Sequence, residues 1–226
     1  MACASTLDRH VESLVNGLKA MAVWDETMLI LTADHGENIG EHGLVDHQFC
    51  LYNTLLHVPL IIRVPSSVGQ PRVIDDIVET RELHDIILAW ASEDKKENFD
   101  LYDFLLSMHF PPHAVAMYDL PEFSLARWKK NNAPINPAWQ RELYSIRTQD
   151  WKYIHTGDGK HELYHIQEDA TELNNLFLDN AYIEVVEELQ NRLSQYMCKD
   201  DVSDDRFDEP DFDREVKKRL QALGYL

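Results

Sequence analysis

The sequence predicts an α/β layer followed by a small α+β subdomain, and three features of its 226 residues carry that reading. The first is a helix whose apolar residues Leu7, Val11, Leu14, Val15, Leu18 and Ala22 recur at helical spacing, with Asp8, Glu12, Asn16 and Lys19 on the opposite face. Such a stripe needs a sheet to cover. The second is a pair of short apolar runs without alternation, residues 27–33 (TMLILTA) and 57–64 (HVPLIIRV), which read as strands buried on both faces. Helix followed by buried strand is the grammar of an α/β layer. The third is a change of pattern to alternating, aromatic-rich segments at 142–148, 151–155 and 162–166, separated by turn signals that include Gly157-Asp-Gly159. They predict an antiparallel meander.

The remaining elements follow in order. A turn at 66–71 bounds the second apolar run, a helix is predicted around 82–90, and His113 to Tyr118 forms one more short strand. A helix at about 181–196 can close one face of the meander. Residues 199–213 are a run of acids with few apolar residues, hence a solvated linker, and 215–223 make a last short helix. The expected division is therefore 1–120 for the α/β part, 121–198 for the antiparallel α+β subdomain and 199–226 for the acidic linker with its helix. No internal repeat is visible.

Charge narrows the partners. Asp and Glu number 40 against 21 Lys and Arg, a formal charge of −19. A surface of that sign repels phosphate backbones and anionic headgroups, so neither nucleic acid nor a membrane surface is expected as a partner. Acids spread along the whole chain also fit a surface kept hydrated in concentrated salt. Cys3, Cys50 and Cys198 form neither a CxxC pair nor a regular framework, so reduced, buried thiols are expected. No apolar run reaches membrane-spanning length, and the first ten residues lack a signal core, which reads as a cytoplasmic chain.

The chemistry concentrates in residues 32–47 (TADHGENIGEHGLVDH). Asp34 and His35 fall where the first apolar strand runs out, the place where open α/β sheets bind ligands. A carboxylate beside an imidazole offers a hard oxygen and a borderline nitrogen, a pairing suited to a divalent cation that polarises an oxyanion. Gly36, Gly40 and Gly43 allow sharp turns, so that Glu41, His42 and His47 can return toward the same point. Four of the 11 histidines, His35, His42, His47 and His57, lie in this stretch and its immediate sequel. His57 begins a strand and is read as structural.

The string LTADHGENIGEHG, then His47, Leu51-Tyr52 and HVPLII from His57, resembles the C-terminal metal segment of sulfatases and their phosphonate and phosphate ester hydrolase relatives. A second match, YSIRTQDWKYI from Tyr144 with Gly157-Asp-Gly159, Glu162-Leu-Tyr164, Asp169, Glu172 and Asn174-Asn-Leu176, is similar to the C-terminal subdomain of sulfatases. The ending from Arg219 resembles that of sulfatases from halophilic archaea. The resemblance implies an alkaline phosphatase-like sandwich, with Asp34 and His35 as ligands of a divalent metal ion. It favours calcium over magnesium, manganese or zinc. His47 would contact the sulfate or assist the leaving oxygen, and His42 would support a ligand from behind.

In that family a formylglycine made from the cysteine of a Cys-x-Pro-x-Arg motif is the nucleophile. None of Cys3, Cys50 and Cys198 has that context, and the family's N-terminal pair of aspartates is not identifiable. The expectation is a sulfate ester hydrolase portion that binds metal weakly and is inactive alone: either a separate N-terminal half polypeptide completes it, or it is the relic of a broken gene, or the sequence is a partial record. Two alternatives remain: a phosphonate or phosphodiester hydrolase, and a non-catalytic assembly module. Substrate choice would fall to pocket walls such as the loop at 93–110.

Overall fold

The computed structural model describes residues 2–65, 73–92, 105, 110–119 and 141–197, the side chains of residues 2, 3 and 92 aside. The expected linker and last helix at 199–226 and nearly all of the loop at 93–110 lie outside the described residues. The chain divides into two compact units, Met1–Leu193 and Ser194–Leu226. The described elements belong to the first, save the last turn of the final helix.

Helix α1 (Ala2–Ala20) runs longer than its apolar stripe. It ends in a doubly bonded turn: the Val23 amide donates to the Leu18 carbonyl and the Ala22 amide to that of Lys19, with Ala22 at φ 58°. That left-handed residue normally favours glycine, and the two bonds satisfy carbonyls the helix end leaves free. The stripe is not covered as the sequence led one to expect. Val11, Val15 and Leu18 are half-buried, while Leu7 is 62% and Leu14 53% exposed.

Strand β1 (Leu29–Thr32) follows a 3-10 turn at Trp24–Glu26 and pairs antiparallel with β4 (Leu60–Arg63), Leu29 opposite Arg63 and Thr32 opposite Leu60. These two strands form a sheet of their own. The expectation of strands buried on both faces is thereby corrected: Leu29, Ile30 and Leu31 are half-buried, and Leu60 and Ile61 are exposed. A two-stranded ribbon has one face and two edges too many to hide. Its inner face packs with helix α3 (Leu83–Ser92), where Ile86 is fully buried against Met28, Ile62, Val64, Ile74 and Leu83. Arg63 ties the ribbon to the preceding turn, donating to the carbonyls of Trp24 and Thr27 with its guanidinium 4.0 Å from the centre of the Trp24 ring.

Between β1 and β4 lie a small hairpin, β2 (Asn38–Ile39) with β3 (Val45–Asp46), and one helical turn, α2 (Asn53–Leu56). Further on, four strands make one antiparallel sheet in chain order: β5 (Ala114–Tyr118), β6 (Leu143–Arg147), β7 (Trp151–Thr156) and β8 (Glu162–His165). The three segments of the expected meander are β6 to β8, and the strand at 114–118 joins them as an edge. Gly159, at φ 77°, closes the β7–β8 turn, its amide donating to the Thr156 carbonyl.

Strand β7 is buried on both faces. Tyr153, with Ile146 and Leu163 opposite it in register, faces helix α4 (Ile183–Met197), whose Gln190 amide donates to the Tyr153 hydroxyl at 2.9 Å. Lys152 and Ile154 point the other way, toward residues 50–55: Tyr52 packs on Ile154, Tyr164 and Ile166, and Lys152 donates to Asn53. The sheet is thus the middle layer of a three-layer packing.

Candidate metal centre

Strand β1 delivers Asp34 and His35 two and three residues beyond its end, the position expected from the sequence. The Asp34 carboxylate accepts the His35 backbone N–H at 3.0 Å, and its other oxygen lies 3.8 Å from His35 Nε2. His35 Nδ1 stands 2.8 Å from the Gly36 carbonyl. A carbonyl can only accept, so Nδ1 carries the proton and Nε2 keeps its lone pair for a ligand.

The hairpin returns His47 to this point. Asn38 pairs with Asp46, so Glu37 and His47 are the residues immediately outside the last paired rung. Gly40 at φ 130° and Gly43 at φ 71° make the reversal, as their positions suggested. Three residues without that licence also adopt positive φ in the same loop, His42 at 53°, Asp46 at 88° and Phe49 at 74°. Such a concentration is costly and is held by its surroundings, a pattern characteristic of functional loops.

His47 Nδ1 lies 2.7 Å from Asp46 Oδ1 and 3.4 Å from Glu37 Oε2, and its ring stacks on that of His35 with centroids 4.4 Å apart. Two carboxylates on Nδ1 make it the donor nitrogen and leave Nε2 as the acceptor in the neutral ring. His35, Glu37 and His47 each offer one ligand atom, and these atoms lie within 4.8 Å of one another. Among the described residues this is the group of ligand side chains that can hold a metal ion. Glu37 had no role in the sequence reading; it stands two residues after His35 and immediately before β2.

The other expected residues go elsewhere. Glu41 accepts the Ile39 amide at 2.7 Å and so stabilises the hairpin turn; those backbone bonds hold its carboxyl below the usual range. His42 stacks face to face on Tyr52 at 3.6 Å, at the rim of a pocket of about 160 Å³ with Cys50, Arg141 and Glu162 in its wall. His57 is exposed and closes α2, its amide donating to the Asn53 carbonyl. Burial pushes the Cys50 thiol up, so it stays protonated, the state of an inert core cysteine.

The loop is held from behind by close packing on α2. A Cβ on Gly36 would stand 1.9 Å from the Thr54 carbonyl oxygen, so only glycine fits, and the Gly36 amide donates to the Leu55 carbonyl. The fully buried Asn38 accepts from the Thr54 hydroxyl at 2.7 Å and donates to the Asp46 carbonyl at 3.0 Å.

Comparison with known proteins places both parts of the chain beside sulfatases. The family model described as Sulfatase matches residues 1–93, and the model of the N-sulphoglucosamine sulphohydrolase C-terminal region matches residues 134–199. An N-acetylglucosamine-6-O-sulfatase of Bacteroides thetaiotaomicron is 26% identical over 91% of this chain and 37% of its own length. A delta 4,5-hexuronate-2-O-sulfatase of the same organism is 22% identical over 97% of this chain and 44% of its own. The human arylsulfatase K is 26% identical over 77% and 32%. The chain thus spans less than half the length of these relatives.

Among solved structures, a protein in complex with its substrate D-glucosamine-2-N,6-O-disulfate superposes with a TM-score of 0.69 at 24% identity, over 90% of this chain and 41% of the other. The phosphonate monoester hydrolase of Agrobacterium radiobacter gives 0.67 at 22%, over 86% and 40%. The chain has the alkaline phosphatase-like α/β fold of these enzymes and is similar in sequence to the C-terminal portion of sulfatases.

Proposed function

We propose that this chain supplies the metal-binding, C-terminal portion of a sulfuric ester hydrolase. The observation that carries the reading is the convergence of His35, Glu37 and His47 beyond the end of β1, with Asp34 beside them, inside the segment that the sulfatase model matches. Asp34 and His35 are the proposed metal ligands, and Glu37 is a third donor within reach. Carboxylate oxygens with one or two imidazole nitrogens suit a divalent cation; the resemblance favours calcium, the carboxylates also admit magnesium or manganese, and the imidazole nitrogens admit zinc. When bound, the ion would neutralise charge on the ester oxygens.

The roles of the chain's own residues follow from their geometry. His47, held through Nδ1 by Asp46 and Glu37, presents Nε2; protonated, it can donate to a sulfate oxygen or to the departing ester oxygen. The nucleophile would come from an N-terminal portion of the kind that the relatives, more than twice as long as this sequence, also include. That half would cover Leu7, Leu14, Leu60 and Ile61, apolar residues left in water here. The net charge of −19 is in keeping with a surface adapted to concentrated salt.

The test is sulfate release from a generic aryl sulfate in high salt with calcium, by the purified chain alone and mixed with an N-terminal half carrying a Cys-x-Pro-x-Arg motif. Activity on mixing that disappears in Asp34→Ala is the expected result. Release of phosphonate from an aryl phosphonate ester in preference to sulfate would favour a phosphonate hydrolase, the reading supported by the fold shared with the Agrobacterium enzyme. Inactivity in both assays would favour a non-catalytic assembly module.

A further inference from the structure

A buried ion pair meets the first residue of α2, the helical turn on which the candidate metal loop also rests. Lys152 and Glu172 are 0% and 1% exposed, and the ammonium lies 2.6 Å from Glu172 Oε1. Lys152 Nζ directs a hydrogen bond to Asn53 Oδ1 at 3.1 Å, and Glu172 Oε2 accepts the Asn53 backbone N–H at 2.6 Å. Both charged groups therefore close on one residue, the first of α2. Glu172 adopts φ 57° to reach it.

A buried ion pair of this kind is seldom the best way to stabilise a core. Taking two charges out of water costs several kcal/mol each, and apolar residues of similar volume often serve stability as well or better. What this pair does that leucine and methionine could not is cap α2. The four-residue helix has free amides at its start, and Glu172 satisfies the first of them with a full negative charge.

From α2 the constraint passes to both ends of the metal loop. The Leu55 carbonyl and the Thr54 carbonyl fix Gly36, the residue between His35 and Glu37. The Thr54 hydroxyl fixes Asn38, whose amide holds the Asp46 carbonyl, next to His47. His35 and Glu37 are therefore attached next to residues anchored on α2, and His47 is tied to α2 one step further, through Asp46 and Asn38.

We infer that Lys152, Glu172 and Asn53 form a strut by which the C-terminal sheet positions His35, Glu37 and His47, so that metal affinity is set by a charge pair that touches no ligand. This rests on the metal-binding reading above. The three are positioning residues, and the carboxylate on the 169–174 loop is the remote end of the device.

The experiment uses the purified chain with Lys152 and Glu172 replaced together, Lys152→Met with Glu172→Leu, so that no charge is left buried alone. Thermal unfolding and titration calorimetry with calcium chloride and then manganese chloride are compared with the parent. The expected result is a melting temperature lowered by several degrees, because the Asn53 amide and its side-chain oxygen lose their partners, and metal affinity weaker by at least about tenfold, the usual cost of losing a group that orients a ligand. A Val186→Ala control on α4 should lower the melting temperature and leave affinity unchanged. Unchanged affinity in the double variant overturns the strut. Should the parent bind neither ion, the metal reading fails by itself, and the strut is decided by proton NMR of the stacked His35 and His47 rings. Loss of their mutual ring-current shift in the double variant upholds it, and retention overturns it.

Discussion

Strand β1 is an apolar run and strand β7 an aromatic-rich segment with a lysine and a histidine, and their burial is the reverse of what that suggests. In β7 Lys152, Tyr153 and Ile154 are all sealed, one face by α4 and the other by the 50–55 segment, whereas β1 has one strand neighbour among the described residues and no residue that is fully buried. The four-stranded sheet brings its own covers. Among the described residues α3 covers the β1–β4 ribbon, and Leu60 and Ile61 are left exposed. The same contrast holds for helices: α4 buries Val186, Leu189 and Leu193, while α1 buries none of its described side chains. An apolar segment states a need for cover, and only the tertiary arrangement says whether the need is met. The candidate metal loop runs between the two regions and is anchored on the better-packed one.

The largest effect expected from this contrast is in stability. Tyr153 is 0% exposed on the central strand, and its hydroxyl is bonded to Gln190. Tyr153→Ala should cost about 3–5 kcal/mol, the range for emptying an aromatic site in a packed core. Leu14→Ala on α1, removing a side chain already 53% exposed, should cost under about 1 kcal/mol. Chemical denaturation of the two variants checks the pair; equal losses would mean that α1 is covered as well as β7.

This asymmetry also explains what could be read from the sequence. The meander was legible because its alternation, its aromatic residues and Gly157-Asp-Gly159 are all local signals. Helix α4 was legible from the spacing of Val186, Leu189 and Leu193. The β1 and β4 runs were legible as strands but not in their burial, since LIL and LII give no hint of how many neighbours will pair with them. Asp34, His35 and His47 stood out by residue type and by position at a strand end. Glu37 did not, because its contribution depends on the two-residue register of the β2–β3 hairpin. Lys152 and Glu172 were invisible as a pair: they lie 20 positions apart and meet only through the packing of α2 on the sheet.

A smaller effect concerns acid. Burial acts to raise the Asp169 carboxyl, but the backbone amides of Asn174, Leu173 and Glu172 and the Thr171 hydroxyl outweigh it, so its pKa is lowered from 3.8. These bonds form the loop that presents Glu172. A carboxylate lowered on folding adds stability that is present above its unfolded pKa and is lost as pH falls through the folded value. The stability difference between the parent and Asp169→Asn should therefore be full above about pH 4, close to the unfolded value, and should shrink below it. Melting curves from pH 6 down to pH 2 check this; a difference independent of pH would assign the loop's order to something other than the charge.

The smallest effect on stability tests the exposed region where it matters most. Ile61 lies on the water side of β4 at 58% exposure, opposite Leu31. Ile61→Asp removes little buried area, so its stability should stay within about 0.5 kcal/mol of the parent. On an open ribbon the new charge should also reduce self-association, because edges with exposed apolar residues pair with one another. If the ribbon is the seat of an N-terminal half, the same substitution puts an unpaired carboxylate into that interface, and binding of the half should fall by at least about tenfold. Sedimentation of the mixed polypeptides reads this directly. A variant that still binds with parental affinity would move the interface off β4, and one that unfolds would show that Ile61 already has a partner within the chain.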